Sequence, residues 1–276
     1  MKPFAYLQQK QSTSLSFYSF CKGIRYKCWK SIETALIENN IPFALLLETA
    51  DIWVRDFMPI QIDRETFVSY IYNPDYLQDR QEYITSDVSK CYDFTKLTDI
   101  ELVIDGGNFI KCDNKVIMTD KVFLENSEKS AKEIRETIER CFESELVVIP
   151  WDKAEKYGHA DGMVRYVGTG HVVINNYADF DKLLRDEIID ALTPHFTRIS
   201  ELQYGKNNRS KSWAHINFLH TGSYIFVPQM GIPSDTLAIE QLKEIFSDCT
   251  IVPVEANGIV NKGGALNCVS WNIKAL

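Results

Sequence analysis

The chain has 276 residues, enough for one sizeable core or an array of small repeats, and its 45% apolar and 12% aromatic content excludes a disordered polymer. Thirty Lys and Arg against thirty-eight Asp and Glu leave a net charge of −8, which repels a phosphate backbone, excludes a nucleic-acid partner and suits a small cationic ligand. The longest aliphatic run, Ala44 to Leu47, falls far short of the roughly 18 to 20 residues that span a bilayer, so no membrane partner is expected.

At the start of the chain Lys2 gives way to the polar Gln8 to Gln11 rather than to the apolar stretch of a signal peptide, and a cytoplasmic location is expected. Ile32 to Ile37 has helical spacing, Ala44 to Leu47 reads as a strand, and Trp53 to Asp56 with Phe67 to Ile71 supply most of a strand pair. Next comes the clearest unit. An apolar strand, Leu102 to Ile104, opens on Asp105-Gly106-Gly107-Asn108; Lys115 to Met118 returns as a strand; Ser130 to Phe142 is helical, with Ala131, Ile134, Ile138 and Phe142 on one face; and Leu146 to Pro150 is a buried strand. The same order recurs from Asp161 through His171 to Ile174, the helix Asp181 to Leu192 and a strand near Thr197. It recurs again from Asn217 through Ser223 to Pro228, the helix Thr236 to Phe246 and the strand Cys249 to Val254.

The polar residues heading these units are Asp56, Asp105, Asp161, Asn217 and Asn267, at steps of 49, 56, 56 and 50 residues, close to one fifth of the chain. Periods of that size mark radial or solenoid repeats. The expected architecture is an α/β five-bladed propeller of ββαβ modules around a central cavity, with residues 1–276 as a single domain of five repeats. The last module lacks a helix and is completed by the one near residues 29 to 38. In such a ring the module openings face one axis, so five distant residues converge; an ordinary α/β sheet with coincidental spacing is the alternative. The seven cysteines, at 21, 28, 91, 112, 141, 249 and 268, include no Cys-x-x-Cys pair, and an odd count argues against a disulfide framework.

Four openings put reactive groups among small residues: Trp53-Val54-Arg55-Asp56, Asp105-Gly106-Gly107-Asn108, Gly158-His159-Ala160-Asp161 and Gly263-Gly264-Ala265-Leu266-Asn267-Cys268. They supply one thiol, one imidazole and three carboxylates. A guanidinium presents in-plane donors that match carboxylate oxygens, so Asp56 and Asp161 are candidates to clamp it from two sides. Cys268 is then placed to attack the central carbon and His159 to protonate departing ammonia and later deprotonate water, with Asp105 orienting the imidazole. Asn217 and Trp53 are further substrate-binding candidates; a turn hydrogen bond and core packing are their structural alternatives. Arg55 and Arg165, beside acidic motif residues, read as ion-pair partners. No metal or organic cofactor is expected: His215 and His220, read on one strand-like segment, point to opposite faces, and no zinc, nucleotide or dinucleotide motif is present. Lys206 to Lys211 reads as a solvated connection that is able to rim the cavity.

These four segments resemble, in order and phase from about residue 43 to 271, those of the guanidine-modifying enzyme superfamily, within it the agmatine deiminases and the bacterial-type peptidylarginine deiminases. The resemblance implies the pentein propeller, guanidinium binding by Asp56 and Asp161, acid/base chemistry by His159 and a Cys268 nucleophile passing through a covalent thiouronium. The family usually carries Glu where Asp105 stands, one methylene longer, and His before the nucleophile where this chain has Asn267. Net charge, with Glu48 and Asp51 near the first motif, favours a cationic tail, hence agmatine hydrolysed to N-carbamoylputrescine and ammonia. Arg165 and the basic stretch argue for peptidyl-arginine. An amidinotransferase and a non-catalytic guanidinium-binding propeller are the remaining alternatives, and no residue pattern fixes an oligomeric state.

Overall fold

A computed structural model describes residues 13–18, 24–85, 87–205 and 209–274. Cys21 and the stretch Lys2 to Gln11 lie outside them, as do residues 206–208 of the basic stretch. The first sheet joins the two ends of the chain: β1 (Thr13–Tyr18) runs parallel to β2 (Phe43–Leu46), across helix α1 (Ile24–Glu38), and antiparallel to the last strand, β15 (Ser270–Lys274). The second follows the short helix α2 (Val54–Phe57) with β3 (Ile60–Gln61), β4 (Thr66–Ile71) and β5 (Lys96–Val103). The third contains β6 (Ile110–Cys112), β7 (Lys115–Thr119), helices α3 (Lys121–Glu125) and α4 (Ala131–Phe142), and β8 (Glu145–Ile149). The fourth is β9 (Val164–Gly168), β10 (His171–Ile174), helix α5 (Lys182–Leu192) and β11 (Arg198–Glu201). The fifth follows helix α6 (Arg209–Ile216) with β12 (Leu219–Thr221), β13 (Tyr224–Gln229), helix α7 (Ser234–Ile245) and β14 (Thr250–Glu255), and helix α8 (Asn257–Val260) leads back to β15.

Every sheet has three strands, the first antiparallel to the second and the second parallel to the third. That constant pattern is the ββαβ module, and pairing β15 with β1 closes the ring: the fold is a five-bladed α/β propeller. Local chemistry explains the helices. Ser130 accepts a hydrogen bond from the Glu133 N–H while the Glu133 carboxylate accepts from the Ser130 N–H, a capping box that starts α4. Ile134, Ile138 and Phe142 then recur on the buried face. Asp181 caps α5 through the Leu184 N–H, and Leu184, Ile188 and Leu192 repeat the spacing. Five buried clusters follow, four with a long helix packed on strands of adjoining blades. The fifth packs β4 and β15 under the loop between β4 and β5, where helical turns at 75–77, 81–83 and 88–90 replace the helix of the other modules. Among the described residues no helix is long and apolar enough to cross a membrane.

Two expectations need correction. Trp53 to Asp56 does not open a strand: Val54–Phe57 is a helical turn, and the polar heads generally lie in turns a few residues before β3, β6, β9, β12 and β15. His215 and His220 share no strand. His215 lies in α6, which begins inside the basic stretch, and pairs through Nε2 with Asp235 Oδ1 at 2.8 Å; His220 sits on β12 with Nε2 3.9 Å from Cys249 Sγ. Among the described residues no group of three or more His, Cys, Asp or Glu side chains is arranged to hold a metal ion.

Candidate active site

The heads of four blades converge. Asp56 comes from α2, Asp105 precedes the turn Gly106–Asn108, His159 caps the turn Ala160–Gly162 that contains Asp161, and Cys268 precedes β15. Asn217, just beyond α6, completes the group. The turns are tied together by polar contacts: Tyr70 Oη donates to the Asp56 carbonyl at 2.9 Å, and Asn108 Oδ1 accepts from the N–H groups of Thr119 at 2.9 Å and Ala160 at 3.3 Å. Gly107 is required by space. Its N–H donates to Asp56 Oδ1 at 3.1 Å, and a Cβ there would meet His159 Nδ1 at 2.6 Å and Asp56 Oδ1 at 2.7 Å.

His159 is held between two carboxylates. Its Nε2 lies 2.8 Å from Asp105 Oδ2 and its Nδ1 3.6 Å from Asp56 Oδ1, so the shorter Asp105 side chain still reaches the imidazole. Burial pulls the imidazole's pKa down, but Asp56, Asp105 and Asp161 outweigh it and raise the pKa to about 9. Burial raises that of Asp56 to about 7, opposed by His159 and reinforced by Asp105 and Asp161. The Cys268 thiol lies 3.6 Å from Asp161 Oδ2 and 3.3 Å from Asn217 Oδ1. Burial, then Asp161 and Asp56, push its pKa well above the ordinary thiol value. Both shifts favour the protonated forms, thiol and imidazolium, near neutral pH.

Cys268, His159, Asp161 and Asn217 line a cavity of about 40 Å³, room for a few waters. Asp56 and Asp105 flank the His159 ring, one at each nitrogen. Trp53 packs on the core of the first blade, its ring against Gly264, where a Cβ would approach it to 2.2 Å. Among the described residues neither Arg55 nor Arg165 forms the expected ion pair. Arg55 donates from Nη2 to Asn272 Oδ1 at 2.9 Å, and the Arg165 guanidinium lies 4.5 Å over the Phe218 ring. Both guanidinium pKa values are lowered by burial despite Asp161 nearby, that of Arg165 to about 10.

Three features escaped the sequence reading. Besides Asp161, the acidic residues on the cavity wall are Asp152 and Glu155, rather than Glu48 and Asp51; the run Trp151 to Tyr157 just ahead of His159 balances its two acids with Lys153 and Lys156 and gave no charge signal. Trp213, Tyr177 and Phe180 add an aromatic wall. Lys121 is 1% exposed and sits behind Asp105, its Nζ 3.0 Å from Asp75 Oδ1 and Glu125 Oε1 and 3.8 Å from Asp105 Oδ2. Nothing in Thr119-Asp120-Lys121-Val122 separates that lysine from a solvated helix start.

A closed ring of five ββαβ blades, with thiol, imidazole and carboxylates gathered at the blade openings, defines the pentein class of guanidine-modifying proteins. The model of the Porphyromonas-type peptidyl-arginine deiminase family matches residues 24–273, and the chain belongs to that family. It is 22% identical to a protein of Lactococcus lactis subsp. lactis provisionally named agmatine deiminase, over 94% of this chain and 81% of that one. The agmatine deiminase of C. jejuni superposes with a TM-score of 0.74 at 16% identity, covering 95% of this chain and 92% of that chain. That of Enterococcus faecalis gives a TM-score of 0.74 at 16% identity over 95% and 93%. At such identities the superpositions establish the shared fold.

Proposed function

We propose that the chain is a guanidine deiminase that hydrolyses agmatine to N-carbamoylputrescine and ammonia. The reading rests on one arrangement: a thiol 3.6 Å from Asp161, beside an imidazole held between Asp56 and Asp105. Asp56 and Asp161 clamp the guanidinium, whose charge lowers the thiol's affinity for its proton, and that proton leaves to solvent. Cys268 Sγ attacks the central carbon as thiolate; that carbon bears only nitrogens, so the tetrahedral adduct is neutral with no oxyanion, and it turns cationic as an amino group is protonated, which is the charge the carboxylates stabilise. His159 gives its proton to the departing amino group, ammonia leaves, and a thiouronium remains on sulfur. Water then attacks that carbon, losing one proton to His159; the C–S bond breaks, sulfur recovers the other proton, and the ureido product departs. Asp105, which contacts the imidazole and Lys121 and lies off the cavity wall, is a positioning residue, and Asn217 orients the thiol.

Agmatine is favoured over free arginine because the described wall of the cavity carries Asp152 and Glu155 and no Lys or Arg, which suits a second cation and leaves an α-carboxylate without a partner. The names borne by the relatives agree with that preference. Peptidyl-arginine is the second reading, supported by the description of the matching family. The same proposal has the chain acting as a single deiminase domain on a small cytoplasmic cation, with every chemical group drawn from side chains, so turnover survives exhaustive chelation. Ammonia and ureido product are measured across agmatine, arginine and a blocked arginine peptide. Agmatine is expected to lead in kcat/KM, and a tenfold preference for the peptide, about 1.4 kcal/mol, overturns that substrate. Binding without any turnover indicates a silent propeller, and release of the substrate's alkyl amine in place of ammonia, with the amidino group passed to an amine acceptor, indicates an amidinotransferase.

A further inference from the structure

We infer that Asn267 is a positioning residue whose side-chain amide fixes the Asp161 carboxylate against the nucleophile. This deepens the proposed function and rests on Asp161 being the guanidinium's partner. Asn267 Nδ2 donates to Asp161 Oδ2 at 2.7 Å, and both residues are buried, at 6% and 2% exposure. Cys268 Sγ approaches the same oxygen at 3.6 Å. Among the described residues Oδ1 of Asp161 receives no hydrogen bond, so the amide ties down one oxygen and leaves the other for a ligand.

The backbone of Asn267 is fixed independently. Its N–H donates to the Asn217 carbonyl at 3.1 Å, and its own carbonyl accepts from Ser270 Oγ at 3.0 Å and Arg55 Nε at 3.4 Å. One residue thus connects the second, fourth and fifth blades immediately before Cys268. Several charges face Asp161: Asp56 and Arg55 from α2, His159 from its own turn, Arg165 from β9 and Cys268 beside β15. A charged donor in place of the amide would repel the substrate's cation. A neutral donor holds the carboxylate in place without that repulsion.

Asn267→Leu removes the donor at similar volume, and Asn267→Gln keeps a neutral amide N–H. The readout is alkylation of Cys268, followed by mass spectrometry from pH 5 to 9 with two reagents: cationic 2-chloroacetamidine and neutral 2-chloroacetamide. In both, an S–C bond forms, chloride leaves and the thiol proton goes to solvent. The rate ratio of cation to neutral reagent reports the carboxylate's charge without needing turnover. Asn267→Leu is expected to lower the ratio at least tenfold, while Asn267→Gln stays within threefold of the parent. With a turned-over guanidine, the Leu variant raises KM more than it lowers kcat. An unchanged ratio in Asn267→Leu, or an equal fall in Asn267→Gln, overturns the assignment. Should the Leu variant fail to fold by circular dichroism, Asn267→Ala is read by the same criteria. If no guanidine is turned over while the ratio behaves as stated, the deiminase reading falls and the positioning role stands.

Discussion

Two opposing effects meet at His159. Its side chain is 8% exposed, and burial alone would strip the imidazole of its proton near neutrality; three carboxylates reverse that and raise the pKa to about 9. The proton given to departing ammonia is therefore present at rest. It is lost as pH rises through about 9, where kcat/KM should fall. On the acid side Asp56 must be ionised to hold the guanidinium, and its pKa, raised to about 7, means activity falls as pH drops through that value. A bell with limbs near 7 and 9 is the expected profile, its limbs belonging to the coupled group rather than to single residues. A flat profile between pH 6 and 10 would contradict these roles. Asp56→Asn and Asp161→Asn keep shape and remove charge, and each should cost about 2 to 5 kcal/mol of transition-state binding, a loss of roughly thirtyfold or more in kcat/KM. Near-normal kinetics in both would move the substrate elsewhere. Cys268→Ser should abolish turnover while leaving the melting curve in place.

Helix α3 is five residues long, yet it anchors the charge network behind the site. Lys121, its first residue, meets Asp75 from the turn after β4, Glu125 one helical turn on and Asp105 at the blade opening. Burial opposes the lysine's charge, but Asp105 and Glu125 raise its pKa on balance; burial and Asp105 raise that of Glu125 to about 7 even with the cation adjacent. Lys121→Met leaves two buried carboxylates without their cation and should cost about 3 to 5 kcal/mol of stability, read as a lower urea midpoint. Adding Glu125→Gln should restore part of it; strict additivity of the two changes would show that they do not interact. This element also shows where reading from sequence stops. The periodicity of α4, α5 and α7 is local and was legible, as were the motif residues whose repeat phase put them at one axis. The burial of Lys121 and the placement of Asp152 and Glu155 on the cavity wall depend on how one blade's turn packs on the next, which no local pattern encodes. The helix expected in the second module was absent for a similar reason: its aromatic loop, with Tyr72, Tyr83, Tyr92 and Phe94, packs on β4 and β15 without needing helical periodicity.

Ring closure couples the two ends of the chain to the chemistry. Sheet pairing of β15 with β1 is the step that turns a row of modules into a propeller, and Cys268 lies two residues ahead of that strand. Trp271 holds β15 in place from the inside. It is 2% exposed, its Nε1 donates to the Pro59 carbonyl at 2.7 Å, and its ring lies 5.8 Å from Phe67 and 5.1 Å from Tyr92. Trp271→Ala should therefore cost about 3 to 5 kcal/mol through the cavity it leaves and the unpaired carbonyl. The more telling consequence is where the cost falls. Because the lost contacts all attach β15 to the second blade, local release of the last strand becomes easier than global unfolding, and the nucleophile is carried with it. In a urea series the variant should lose activity, and expose Cys268 to a thiol reagent, at a concentration clearly below its circular dichroism midpoint, whereas in the parent the transitions coincide. Coincident transitions in the variant would mean that the closing strand comes apart only with the whole ring.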